Sequence, residues 1–142
     1  MSDVIKAAFS LQDYRICKFS LDLDQNPKNE GIDISFDPEG IFHSKTKIFE
    51  LILDFRAFKN PESKESPYLN ARIHAFFQFE NVSTLKEVPD FFYRNSVAII
   101  FPYLRSFVST LCLQANLNVL ILPTLNLTSL EAPLLKNTKE QE

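Results

Sequence analysis

Hydrophobic and polar residues alternate along the first half of the chain, and the period then lengthens from two to between three and four. From Tyr14 to Leu23, Cys17, Phe19, Leu21 and Leu23 alternate with Lys18, Ser20 and Asp22, as in a half-buried strand. The polar run Gln25 to Gly31 ends it. Ile32, Ile34 and Phe36 alternate with Asp33, Ser35 and Asp37 in a second strand, and Pro38-Glu39-Gly40 reads as a turn or bulge. The cleanest alternation lies between Ile48 and Phe58, with Phe49, Leu51, Leu53, Phe55 and Ala57 inward and Glu50, Asp54 and Arg56 outward. Lys59 to Pro67 is polar or proline and is expected to be a long hairpin loop. A fourth strand is predicted from Tyr68 to Glu80, with Leu69, Ala71, Ile73, Ala75, Phe77 and Phe79 inward and Phe76 on the polar side. Its two inner alanines between larger residues leave room for a helix to lie close.

Beyond Asn81 to Val88 the spacing becomes helical, and Pro89-Asp90 is a start signal with Asp90 as N-cap. Val97, Ile100, Leu104, Val108, Leu111 and Ala115 form one face, widened by Phe101 and Phe107. A second stripe runs through Ala98, Arg105, Ser109 and Cys112. One sheet covers one side of such a helix, so a second helix or a second subunit is expected against the rest. Pro102 removes a hydrogen bond and crowds the carbonyl of Ala98, so either the helix kinks there or its regular part starts near Phe101. Asn116 and Asn118 suit a helix end. Leu120, Ile121 and Leu122, then Pro123, Leu125, Leu127 and Leu130, make a connection more apolar than a solvated loop. Such a segment is either buried, in the subunit or an assembly, or binds an apolar partner. Residues 1–12 and 132–142 are expected to be flexible, the latter because Pro133 precedes a polar tail.

Composition narrows the class. A chain of 142 residues, 45% apolar with two glycines and 14 phenylalanines, fits a single domain over 1–142 with a core that needs no staples. A net charge of −3 with 15 scattered basic residues gives nucleic acid no patch to bind. The start MSDVIKAAFS lacks the pattern of a signal peptide, and no stretch approaches the roughly 20 uninterrupted apolar residues of a membrane span. A cytoplasmic protein without membrane insertion is expected, which suits two unpaired cysteines. His43 and His74 stand alone, and Cys17 and Cys112 lack ligand spacing, so neither a metal nor a cofactor is expected. Asp22 and Asp24 read as solvated acids rather than a catalytic pair. Two glycines, Gly31 and Gly40, make no phosphate loop, and no nucleophile motif is present. The expectation is a binding protein rather than an enzyme.

Phe101-Pro102-Tyr103-Leu104-Arg105 on a helix, followed by Pro123-Thr124-Leu125-Asn126-Leu127, resembles the SecB family of protein-export chaperones. The likeness extends upstream as a pattern, four antiparallel strands before the helix, and covers roughly Tyr14 to Leu130. It implies an α+β subunit, a four-stranded antiparallel sheet followed by a long helix, assembled as a dimer of dimers with the helices between two sheets. It also implies an ATP-independent holdase that binds non-native polypeptides in apolar grooves. Clients in the family are preproteins bound for translocation through SecA, or the antitoxin of a toxin-antitoxin pair. On this likeness Asp22 is the candidate for SecA docking, whereas Lys18 stands where a second acid is expected. Tyr68 and Asn70 lie near the places of a leucine and a glutamate.

Client contact is expected from Ile41, Phe42, Phe76, Leu117, Val119, Leu120, Ile121, Leu122, Leu125 and Leu127. Subunit contact in a homotetramer is expected from Val97, Phe101, Leu104, Arg105, Val108 and Cys112. Phe77 and Phe79 share the parity of Ile73 and are expected in the core. The alternative to a chaperone is a carrier in which the same leucines and phenylalanines enclose a small apolar ligand.

Overall fold

The computed structural model describes residues 9–22, 33–58, 67–117, 122 and 125–142. Strands β1 (Phe9–Leu21), β2 (Asp33–His43), β3 (Ile48–Phe58), β4 (Leu69–Phe79) and β5 (Thr138–Gln141) form one sheet in the order β1-β4-β3-β2-β5. β1 to β4 pair antiparallel, and β5 joins the outer side of β2 in parallel. Helix α1 (Asp90–Gln114) packs on one face of the sheet, and the short α2 (Glu131–Lys136) leads into β5. This is the α+β arrangement expected, with a fifth strand added.

Period-two alternation placed the central strands well. β3 has the predicted bounds, and the inward residues of β3 and β4 are fully or nearly fully buried. Ala71 and Ala75 sit among them and let α1 approach. Phe92 of α1 fills the space at one end, with ring centroids 4.8 Å from Phe9, 4.6 Å from Phe49, 5.3 Å from Phe77 and 4.8 Å from Phe79. Edge-to-face contacts of this kind add to the area term at about 0.5–1.5 kcal/mol each.

β1 corrects the expected lead-in and parity. It begins at Phe9 and its register against β4 shifts between Leu11 and Asp13 and again between Ile16 and Lys18. Each bulge inserts one residue, Gln12 and Cys17, and so resets which parity faces α1. Phe9, Leu11, Tyr14, Ile16, Phe19 and Leu21 therefore lie opposite the inward residues of β4, while Cys17 is exposed. Leu23, Ile32, residues 59–66, where a hairpin loop is expected, and residues 118–121 lie outside the described residues.

β2 runs unbroken through Pro38-Glu39-Gly40, where a turn or bulge was expected. The Gly40 N–H donates outward to the Asn137 carbonyl at 3.2 Å, so the missing amide of Pro38, two residues earlier, also belongs to the outer side and costs the β3 ladder nothing. Gly40 is needed for a different reason: a Cβ there would lie 2.5 Å from Phe49 Cζ and 2.7 Å from Thr138 Oγ1.

The tail also differs from expectation, because residues 131–141 form α2 and β5. Leu134 is fully buried and anchors them. Pro133 occupies the first turn of α2, where an amide has no partner within the helix.

α1 is continuous through Pro102, which, like Ala98, is exposed. Pro89 takes the N-cap position and Asp90 is the acidic residue of the first turn. The far end closes with Asn116 at φ 60°, Leu117 N–H donating to Cys112 O and Asn116 N–H to Leu113 O, both at 3.0 Å. That is a Schellman closure, in which asparagine tolerates the left-handed conformation. By length and composition α1 would cross a membrane, with a mean hydropathy of 1.6 over its most apolar window, but its Val97, Ile100, Leu104 and Val108 stripe is spent on the sheet.

Candidate client-binding and assembly surface

Two features leave apolar surface on one side of the subunit. β1 is an edge strand, so one row of its backbone groups has no neighbour within the described sheet. Next to it, the outer stripe of α1 carries Ile99, Tyr103 and Leu113 in exposed positions, with Leu113 60% exposed. The bulges of β1 turn its own side chains toward this stripe. Tyr14 meets Tyr103 at 4.4 Å between ring centroids, and Phe19, 53% exposed, meets Phe107 at 5.2 Å. Between them lies a cavity of about 550 Å³ lined by Tyr14, Ile16, Pro102, Tyr103, Phe107 and Thr110, among others. The second stripe expected through Ala98, Arg105, Ser109 and Cys112 is not this one, for Cys112 is buried; helical spacing among Ile99, Tyr103, Thr110 and Leu113 was the signal that could have found it, whereas Tyr14 and Ile16 were hidden by the bulges.

The residues expected at the subunit interface are placed elsewhere. Val97, Phe101, Leu104, Val108 and Cys112 are buried in the subunit's own core, and Arg105 is half-buried. A side chain with almost no accessible surface has almost none to give a second copy, so the assignment is corrected for these five, while Arg105 keeps part of its surface. The periodicity had identified the face of α1 that meets its own sheet.

Of the expected client residues, Phe42 is wholly buried, 6.1 Å from Phe79, because Gly40 and Phe42 share the inward parity of β2. Leu122 is also buried. These two are corrected to core positions. Ile41 and Phe76 are half-buried on the opposite face of the sheet, and Leu117, Leu125 and Leu127 are half-buried against the core. Val119, Leu120 and Ile121 lie outside the described residues. Asp22 is exposed just beyond β1, its N–H donating to Tyr68 O at 2.8 Å.

The sheet face away from α1 is polar and cross-linked. Asp54 accepts from Arg72 at 2.8 and 2.9 Å, and this pairing raises the guanidinium further above its usual range. Glu50 on β3 lies 3.1 Å from His43 Nε2 and 3.2 Å from His74 Nδ1, and Arg15 stands 5.9 Å over the Phe76 ring. Among the described residues no group of His, Cys, Asp and Glu is arranged to hold a metal ion.

At the other end of α1 a second cavity of about 570 Å³ has Leu85, Val88, Tyr93 and Leu135 as apolar walls, with Thr84, Lys86, Asp90 and, from β5, Glu140 completing the lining. Burial, with Asp90 nearby, pushes the Tyr93 phenol up, so it remains a neutral lining group.

No known family profile matches the sequence. The chain is similar to the uncharacterised protein MJ0357 of Methanocaldococcus jannaschii, 27% identical over an alignment 146 positions long that covers 96% of this chain and 94% of that protein. In three dimensions it is similar to the Mycobacterium tuberculosis SecB-like chaperone Rv1957, solved in complex with a ChAD peptide from the Rv1956 HigA1 antitoxin. That superposition has a TM-score of 0.66 at 19% identity and covers 84% of this chain and 88% of that chain. The fold is therefore SecB-like.

Proposed function

We propose that this SecB-like subunit is an ATP-independent chaperone that holds non-native polypeptide on the apolar side formed by β1, the outer stripe of α1 and the leucine-rich segment after it. The observation that carries the reading is that the core is closed without Tyr14, Phe19, Ile99, Tyr103 and Leu113, which remain at the surface as a group. Apolar surface in one place on a small soluble fold marks a contact for another chain. Removing it from water contributes roughly 25 cal/mol per Å², before the cost of ordering a flexible client. Shallow, aromatic contacts of this type accept many sequences. The antitoxin peptide held by Rv1957 supports a client of the same class, an extended segment of an antitoxin, ahead of preproteins handed to SecA.

The same side serves assembly. In this reading two copies meet along part of the β1 edge and of the exposed stripe of α1, two such pairs make the homotetramer, and the rest of that side, with the segment carrying Val119, Leu120 and Ile121, is left to clients. Delivery to SecA through Asp22 and residence in the cytoplasm belong to the same proposal. The test is suppression of aggregation of a chemically denatured protein without nucleotide, together with solution mass before and after client is added. A tetramer that protects the client upholds it. A compact monomer that protects nothing and instead takes up a fatty acid at fixed stoichiometry replaces it with a carrier.

A further inference from the structure

β5 is a weakly matched occupant of the place it fills. It contributes Thr138–Gln141 to the outer side of β2 opposite Gly40 to His43, and Lys139, Glu140 and Gln141 are exposed. The ladder is bounded by Gly40 N–H donating to Asn137 O at 3.2 Å and Ser44 N–H to Gln141 O at 2.9 Å. Glu140 pairs with the inward-facing Phe42, so its side chain is on the α1 side of the sheet, where it borders the cavity walled by Leu85, Val88, Tyr93 and Leu135. A carboxylate thus stands against the apolar part of a cavity whose remaining lining is Thr84, Lys86 and Asp90. It is retained by one bond, its Oε1 accepting from Leu85 N–H at 2.6 Å. Leu135 is 52% exposed beside it.

We infer that the outer edge of β2 and this cavity form a docking site for an extended segment of unfolded polypeptide, with β5 as the strand it displaces. The occupant follows from the geometry. β5 itself demonstrates that an extended backbone fits the edge, and an incoming strand that places a large apolar residue at the Glu140 register fills the cavity β5 leaves open. Release of β5 takes none of its own side chains out of the core, since none of them is buried, and Leu134 of α2 anchors the chain just before it. The site lies away from the β1 and α1 surface, so client can be held at both. The inference rests on the chaperone reading and names a second contact for its client.

The alternation of the ladder turns the Lys139 amide toward β2, while the Lys139 side chain lies outside the cavity, so Lys139→Pro loosens β5 without altering the walls. The probe is a short unstructured peptide of alternating leucine and serine with lysine ends, added to the full chain. Lys139→Pro is expected to bind it about three- to tenfold more tightly than wild type, since less of the binding free energy goes into opening the edge. In wild type, saturating peptide is expected to strip hydrogen-exchange protection from Lys139 and Gln141 while leaving β3 protected. This second measurement needs no variant and stands even if Lys139→Pro misfolds. If wild type binds the peptide with β5 protection unchanged and Lys139→Pro binds no better, the site is refuted and the chaperone reading survives. If neither protein binds any unfolded chain, both fall.

Discussion

Tyr14 and Tyr103 lie 4.4 Å apart between ring centroids with their planes tilted by 35°, one on the edge strand and the other on the outer stripe of α1. Both are partly exposed, at 38% and 41%, so the pair keeps surface that a partner of the kind proposed above would cover. Tyr103→Asp places a charge there without opening the core. The expected outcome is a loss of at least about tenfold in assembly or client affinity, read by sedimentation and aggregation assays, because centrally placed aromatic contacts carry about 2 kcal/mol or more. The urea midpoint should move little, as exposed substitutions stay within about 0.5 kcal/mol. A large loss of monomer stability with unchanged assembly would assign the pair to the fold alone.

Leu120→Glu or Ile121→Glu separates the client contact from the subunit contact. Each is expected to weaken suppression of aggregation while leaving the solution mass at the wild-type value, since a buried unpaired carboxylate is costly only where an apolar client must cover it. A variant that protects the test protein as well as wild type removes this segment from the client site.

The contrast between β3 and β1 explains what the sequence could reveal. β3 and β4 are buried on one face over their whole length, so each residue repeats the same vote and their bounds and core follow from alternation. β1 carries a bulge at Gln12 and another at Cys17, and each reverses the parity; reading from Cys17 alone put that thiol inside and missed Tyr14 and Ile16. Pro38 looks like a breaker because a sequence does not say which side of a strand its absent amide faces. α2 and β5 were missed for another reason. Their polar residues are exposed, and what orders them is one leucine, Leu134, and pairing to a strand remote in sequence. The helical period identified a buried face on α1 correctly but not its partner, so core residues were assigned to an interface.

Gly40→Ala tests the close approach of Phe49. The added methyl would meet the ring at 2.5 Å and Thr138 Oγ1 at 2.7 Å, and Phe49 is wholly buried between β2 and Phe92 with no free direction to move. Overpacking of this kind costs about 1–3 kcal/mol, and a lower urea midpoint with unchanged slope is expected. Gly40→Ala combined with Phe49→Leu should recover part of the loss, which distinguishes a steric cause from a backbone one.

Tyr68, 2% exposed, has its phenol pushed up from 10.0 to about 12, chiefly by burial and secondarily by the nearby Cys112. The folded chain therefore keeps this proton at a pH where the unfolded chain has released it. Its stabilising contribution is intact below pH 10.0 and declines as the pH rises from there to about 12, where the folded phenol ionises as well. Tyr68→Phe keeps the ring and removes the titration. Relative to that variant, wild type should lose stability on the order of 2 kcal/mol across this window, measured as the difference in urea midpoints times slope. Other titrating groups, Tyr93 among them, are present in both proteins and cancel in the comparison. Parallel profiles for the two proteins would mean that water reaches the Tyr68 hydroxyl and that this end of α1 is less tightly closed than its packing against the sheet indicates.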